Sequence, residues 1–282
     1  MPATEGRRRL EDKVCVITGA GSGVGRVAAR LFGAEGAIVV ATDLDAETGA
    51  ETVAAIVEQG GQAIFVHADL RERDNIEALA ARCAEEFGRV DVLFNNAAIV
   101  VRDDVVDFDL EAWDDVMRVN VTAPLLLARA LLPLLAVGGS ASIVNHSSID
   151  GVLANPFAAS YSVSKAALNG LTRLMAHSYA GHGVRTNSLC SGGAARSSTG
   201  VTSVMSGVLR SDPAWAEQVK KLATSTPAGR SGTMEEVAAV ALFLASDDSL
   251  HVNGTDLVVD GGRSALTPGT AGAVPRAART DA

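Results

Sequence analysis

Cysteine is scarce in these 282 residues: Cys15, Cys83 and Cys190 are an odd number, lie far apart and form no C-x-x-C pair. That usage excludes a disulfide framework and a cysteine-based zinc site and fits a reducing, cytoplasmic setting. His67, His177, His182 and His251 have no metal-ligand spacing, so no metal is expected. Positive charge is also short, with a formal net charge of -9, which opposes a nucleic-acid partner; the basic run Arg7 to Arg9 reads as a solvated N-terminal arm over residues 1–10. A long hydrophobic run is missing. The most apolar stretch, Ala123 to Val137, is interrupted by Pro124, Arg129 and Pro133 and falls short of the ~20 residues a spanning helix needs, so it reads as a buried or interface helix and no membrane partner is expected. The N-terminal arginines lead into Leu10, Glu11, Asp12 and Lys13 rather than an apolar signal core, and no solenoid-type repeat is present.

What is present is apolar content of 48%, enough for one large core in one domain over residues 11–264. Short runs rich in Val and Ile (V-C-V-I-T, A-I-V-V-A-T-D, A-I-F-V-H-A-D, V-D-V-L-F-N-N, S-I-V-N-H-S-S, V-R-T-N-S-L-C and D-L-V-V-D) alternate with helical patterns. Their continuous rather than alternating apolarity predicts a seven-stranded parallel sheet covered by helices on both faces, a doubly wound α/β fold of Rossmann type. Residues 192–232, rich in small and hydroxyl side chains but carrying Val201, Val204, Met205, Val208 and Leu209, read as a substrate lid. Residues 265–282 hold too little large apolar surface for a core element and read as an extension.

The first predicted strand runs into T-G-A-G-S-G-V-G, with Gly19, Gly23 and Gly25, and then into an amphipathic helix. Glycines let the backbone turn tightly and approach a pyrophosphate, whose charge the helix N-terminus favours. Asp43 closes the second strand 18 residues after Gly25. A carboxylate there accepts the ribose hydroxyls of an adenosine and repels a 2′-phosphate, so NAD is the expected cofactor.

Tyr161 and Lys165 are four apart in a helical stretch and therefore share one face. A neighbouring cation favours phenolate and lowers a tyrosine pKa from about 10 toward working pH, which makes Tyr161 a candidate proton donor and acceptor. His146 and Asp150, two residues to either side of Ser148, and Asn155 are candidate substrate-pocket residues, His146 also reading as a hydrogen-bonded packing residue and Asp150 as a loop cap.

The G-x-x-x-G-x-G spacing resembles the short-chain dehydrogenase/reductase family, and other marks follow in order. Asn95-Asn96-Ala97-Ala98 is similar to the family's N-N-A-G, Asn120 matches its asparagine, Ser148 lies 13 residues before Tyr161, and V-N-G-T-D-L-V-V-D-G-G closes the match, which covers Leu10 to Gly262. The resemblance implies that Tyr161 is the general acid/base, that Lys165 lowers its pKa and holds the nicotinamide ribose, that Ser148 binds the substrate oxygen and that Asn120 supports a water-linked relay. It implies cofactor contacts at Gly19, Ser22, Gly23, Val24, Gly25, Asp43, Leu44, Asp69, Leu70, Asn96, Ala97, Ala98, Tyr161, Lys165, Gly192 and Ala194. Taken singly, Ser148 could end a strand, Asn120 could cap or kink a helix and Lys165 could be solvated; their coincidence favours catalysis.

Three positions depart from the family pattern: Ala98 replaces a glycine, Ser191 a proline, and Arg196 stands where a threonine often holds the carboxamide, leaving Ser197, Ser198 or Thr199 to supply a hydroxyl. The expected activity is NAD-dependent interconversion of a secondary alcohol, alicyclic or polyol, and its ketone. The alternatives are an NADPH-dependent ketoacyl reductase, opposed by Asp43 and the uncharged Ser22, and a catalytically silent dinucleotide sensor or scaffold. The resemblance also implies a homotetramer, with the apolar run Leu125 to Leu135 and Ala158, Ala159, Ala166 and Ala167 suited to helix contacts between copies; from its composition the tail, Leu266 to Ala282, either rests on another surface or is a loosely placed extension.

Overall fold

The computed structural model describes residues 8–192, 194–196 and 226–265, with the backbone alone at 194–196. Its strands are β1 (Val14–Thr18), β2 (Ile38–Asp43), β3 (Gln62–His67), β4 (Val92–Asn95), β5 (Ala141–Ser148), β6 (Val184–Ser191), β7 (Ala194–Arg196), β8 (Gly232–Thr233) and β9 (Asp256–Val259). Between them run α1 (Gly23–Ala34), α2 (Ala46–Glu58), α3 (Arg73–Phe87), α4 (Leu110–Met117), α5 (Ala123–Leu135), α6 (Ala159–Tyr179) and α7 (Met234–Ala245). Seven strands form the parallel sheet that the apolar runs predict, in the order β3-β2-β1-β4-β5-β6-β9.

Alternation along each strand explains why both faces are covered. Cys15, Ile17, Val39, Phe94 and Val144 turn to one side and pack with Phe32 of α1 and Ala238, Ala241 and Leu242 of α7. Val14, Val16, Val40, Leu93 and Ile143 turn to the other and pack with Leu79 of α3, Leu127, Leu131 and Leu135 of α5 and Met175 of α6. Each fully buried large side chain of this kind is worth about 1.5–3 kcal/mol. The strand order reverses beside β1, where β2 lies on one side and β4 on the other, and this opens a crevice at the carboxyl ends of the strands.

Several expectations are corrected. Leu10 is fully buried and anchors the end of the N-terminal arm, while Arg8 and Arg9 stay exposed at the surface, pairing with Glu11 and Glu35. The apolar run is not a short helix: α4, a π-helical turn (Arg118–Thr122) and α5 make one helix, Leu110–Leu135, of 26 residues, long and apolar enough by composition to cross a membrane. Its inner face, from Val116 through Leu127 to Leu135, is buried in the core. Ala158 and Ala159 are buried within the subunit, unavailable to a neighbouring copy. The two-stranded pair β7–β8 was not expected. Most of the expected lid (193 and 197–225), Ser197, Ser198, Thr199 and the tail after residue 265 lie outside the described residues.

Candidate active site

Thr18, the last residue of β1, organises the cofactor end. Its hydroxyl accepts from the backbone N–H of Asn96 and of Ala97, both at 2.9 Å, which seats the segment after β4 against the glycine turn. The Asn96 amide then donates to the carbonyls of Thr18 (2.9 Å) and Gly19 (3.2 Å). Gly19 has φ +64°, and a Cβ there would lie 2.9 Å from the Ala97 Cα; at Gly25 a Cβ would run into the Gly19 carbonyl oxygen and the Asn96 amide. Any side chain at either position fills the cradle.

Ser22 begins α1 with no side-chain cap and no acidic residue in the first turn, so the N-terminal amides of the helix stay available for an anion. Asp43 ends β2 with one oxygen accepting from Gly21 N at 2.8 Å and the other from Asp45 N at 3.0 Å, which braces the turn and leaves a lone pair on each for hydroxyl donors. Leu44 beside it is 56% exposed, a free apolar surface for a flat ring, and its carbonyl is bonded to His67 Nε2 at 3.0 Å. Asp69 lies after β3 with the Arg71 guanidinium gripping both its oxygens, which holds its carboxyl below the ordinary range. The cradle, the free amides and the paired lone pairs of Asp43 together fit a nicotinamide dinucleotide. Gly192 ends this floor, its N–H donating to Val259 O at 3.0 Å. Nothing is described of the side chain at Ala194 or Arg196.

The chemical end is assembled from β5, α6 and the π-helical turn. A buried polar chain locks α6 over the sheet: Asn95 donates to Asn145 (2.8 Å), Asn145 to Thr172 (2.9 Å) and Ser188 to Thr172 (2.8 Å). The π-helical turn carries Asn120, whose amide accepts from Ile99 N (2.9 Å) and donates to Ile99 O (2.9 Å) and Ser164 Oγ (3.0 Å). Such turns are frequent at functional sites because the extra residue re-aims a side chain. Ser164 in turn donates to the Tyr161 carbonyl at 2.7 Å.

Ser148 closes β5, its Oγ accepting from Asp150 N at 3.0 Å and lying near enough to the Tyr161 phenol to favour its ionised form. Lys165 Nζ stands 5.4 Å from the Tyr161 ring centroid and donates to the His146 carbonyl at 2.6 Å. Burial draws its pKa down to about 8.

The expected lowering of the Tyr161 pKa is not met. Burial pushes the phenol well above its ordinary range, the nearby Asp150 adds to the rise, and the Ser148 hydroxyl opposes both. Desolvation is the largest cause, and one of the three Lys165 ammonium protons is directed at a backbone carbonyl. Asp150 is itself raised by burial, with a bond from Asn155 Nδ2 at 3.0 Å and the charge of Arg263 working against that rise.

The family model described as enoyl-(acyl carrier protein) reductase matches residues 19–264. The chain belongs to the short-chain dehydrogenase/reductase family. Among its relatives, a meso-2,3-butanediol dehydrogenase of Serratia marcescens is 39% identical over 91% of this chain and 96% of its own length. A 3-oxoacyl-acyl-carrier-protein reductase of Thermotoga maritima is 36% identical over 90% of this chain and 98% of its own. The solved structure of a gluconate 5-dehydrogenase from Beutenbergia cavernae, described as NAD(P)-dependent and with NADP bound at low occupancy, has a TM-score of 0.82 and 35% identity over 93% of this chain and all of its own.

Sequence reasoning missed one residue that this short-chain dehydrogenase/reductase uses to build its site. Helix α6 starts at Ala159 behind Ala158, which cannot cap it. The Asp103 carboxylate, from the segment after β4, accepts from Ser160 N instead, at 3.2 and 3.3 Å. No local signal reveals a cap from so far away. Loss of a capping carboxylate typically costs about 1 kcal/mol. Asp103→Ala is therefore expected to lower the melting temperature by about 2–4 °C, with Asp103→Asn, which keeps an acceptor, recovering most of it; calorimetry on the two variants checks this.

Proposed function

We propose that the chain is an NAD(H)-dependent dehydrogenase that interconverts a neutral secondary alcohol and its ketone. The observation that carries this reading is Tyr161 with the Lys165 ammonium 5.4 Å from its ring centroid and the Ser148 hydroxyl near its phenol, at the same strand ends as the glycine cradle. Bound NAD would supply the hydride acceptor and, when oxidised, a cationic ring near the phenol. Tyr161 takes the hydroxyl proton of the alcohol as hydride leaves the carbon and returns it in the reverse direction. Ser148 holds the alcohol oxygen, and Lys165 holds the ribose by exchanging its bond to the His146 carbonyl. With both amide hydrogens directed to Ile99 and Ser164, the Asn120 side chain braces α6 beside the proposed water-linked relay.

Asp43 supports NAD over NADP; the NADP bound in the Beutenbergia relative sets the opposite expectation. On the substrate side, the buried Asp150 carboxyl disfavours acids such as gluconate. It suits a second hydroxyl, as in the diol of the Serratia relative's name, while Val152, Leu153 and Phe157, exposed on the same segment, suit an apolar body. The assembly proposed is a homotetramer through the outer faces of α4 and α6, where Leu110 and Leu174 are more than half exposed.

Turnover with NAD and with NADP on vicinal diols, alicyclic alcohols and gluconate tests the reading. Activity confined to NADP, or to gluconate, contradicts it, and no turnover on any panel favours a silent dinucleotide binder. A second test concerns pH. The Asp150 charge raises the Tyr161 pKa, so Asp150→Asn is expected to move the alkaline rise of kcat/KM for alcohol oxidation to lower pH. A profile that stays in place or moves upward removes Asp150 from the reacting pocket.

A further inference from the structure

The carboxyl edge of β4, β5 and β6 carries a hydrogen-bonded bridge that the reaction above does not use. The Asn96 amide nitrogen donates to the carbonyls of Thr18 and Gly19, and this fixes its Oδ1 as an acceptor. That oxygen faces His146 Nδ1 at 2.9 Å, so the imidazole proton resides on Nδ1. Nε2 is then a lone pair, and the Ser191 hydroxyl, 2.9 Å away, donates to it. Burial and the charge of Lys165 push the imidazole pKa down to about 3, so this arrangement persists at any working pH. The ring stacks on Phe94 with centroids 5.9 Å apart, and the His146 carbonyl is the acceptor for Lys165 Nζ. One side chain thus joins the glycine cradle, through Asn96, to the turn after β6, through Ser191.

We propose that His146 is a positioning residue for the nicotinamide end of the dinucleotide: its neutral ring clamps Asn96 to Ser191 and so fixes the separation of the two walls between which that end of the cofactor lies. The proposal rests on the dinucleotide reading given above. Ser191 belongs to the clamp as its outer anchor, because its hydroxyl donates to Nε2. A proline there has no donor to offer.

Three variants and four readouts test the clamp. In the free wild-type protein, 15N NMR of the histidine rings is expected to show a neutral, Nδ1-protonated imidazole for His146 that does not titrate between pH 5 and 8. His146→Leu, similar in bulk but without either nitrogen, is expected to raise the NADH dissociation constant about tenfold and to raise the cofactor KM more than it lowers kcat. His146→Asn, which restores a donor toward Asn96, should recover most of that loss, and Ser191→Ala should weaken NADH binding about threefold with little change in melting temperature. An Nε2-protonated or titrating ring overturns the proposal, as does NADH binding within twofold of wild type in His146→Leu. A binding loss that tracks the melting temperature and that His146→Asn does not recover marks ordinary packing and also overturns it. Failure of wild-type protein to bind NADH or NADPH would instead remove the underlying reading, and is told apart because it needs no variant.

Discussion

Tyr161→Phe is expected to reduce turnover by about 10²–10⁴-fold, the usual contribution of a positioned general acid/base, while NADH binding stays close to wild type. The phenyl ring keeps its place at the start of α6, because that position is held by backbone and by neighbours: Ser164 donates to the residue's carbonyl and Asp103 caps the helix. Only the proton-transferring oxygen is lost. Lys165→Ala is expected to harm both steps, since its ammonium lies over the ring and is the group available to the ribose. Steady-state turnover with a secondary alcohol, set beside NADH binding by fluorescence titration, checks both variants. Residual Tyr161→Phe activity above about a tenth of normal contradicts the assignment.

Asp43→Ala combined with Ser22→Arg is expected to swing the ratio of kcat/KM for NAD to that for NADP by about a hundredfold or more. The change removes a carboxylate that opposes the 2′-phosphate and adds a cation beside it, together worth a few kcal/mol at about 1.4 kcal/mol per tenfold. Asp43→Ala alone should also weaken NAD, because Gly21 and Asp45 lose the acceptor that braces the turn. Asp43→Asn separates the two effects by keeping an acceptor without the charge. The arginine costs little at position 22, where the serine makes no capping bond, apart from the mild repulsion of a cation by a helix N-terminus. Catalytic efficiency of the wild type with NADP equal to or above that with NAD would refute the premise.

The sheet was legible because β1 to β4 and β9 are mostly apolar runs bounded by turn residues and β5 and β6 repeat the same spacing between helical patterns, a pattern that survives in sequence whatever the partners are. The cradle was legible because Gly19 and Gly25 admit no side chain, and the face shared by Tyr161 and Lys165 because helical spacing is local. The rest depends on residues that meet only in the folded chain. The Asp103 cap, the bridge through His146 and the polar chain from Asn95 to Thr172 are pairings across strands or loops with no periodic signature. The π-helical turn at Asn120 reads in sequence as ordinary helix, since its hydrogen-bond register leaves no mark on residue type. The direction of the Tyr161 pKa was misjudged for a related reason: spacing reveals the neighbouring cation, whereas desolvation is a property of everything packed around the phenol.

The Asp103 cap carries a consequence for how the molecule assembles. Its partner, Ser160, lies 57 residues further along the chain, so the first turn of the helix that bears Tyr161 gains its cap only after a large loop has closed. Local helix formation can proceed without it, and the catalytic turn is then expected to be completed late, with a low φ-value for the Asp103 contact. Losing the carboxylate would then leave refolding almost as fast as before and show itself as faster unfolding. That contact would lengthen the lifetime of the competent active site more than it would speed the chain's search for its fold.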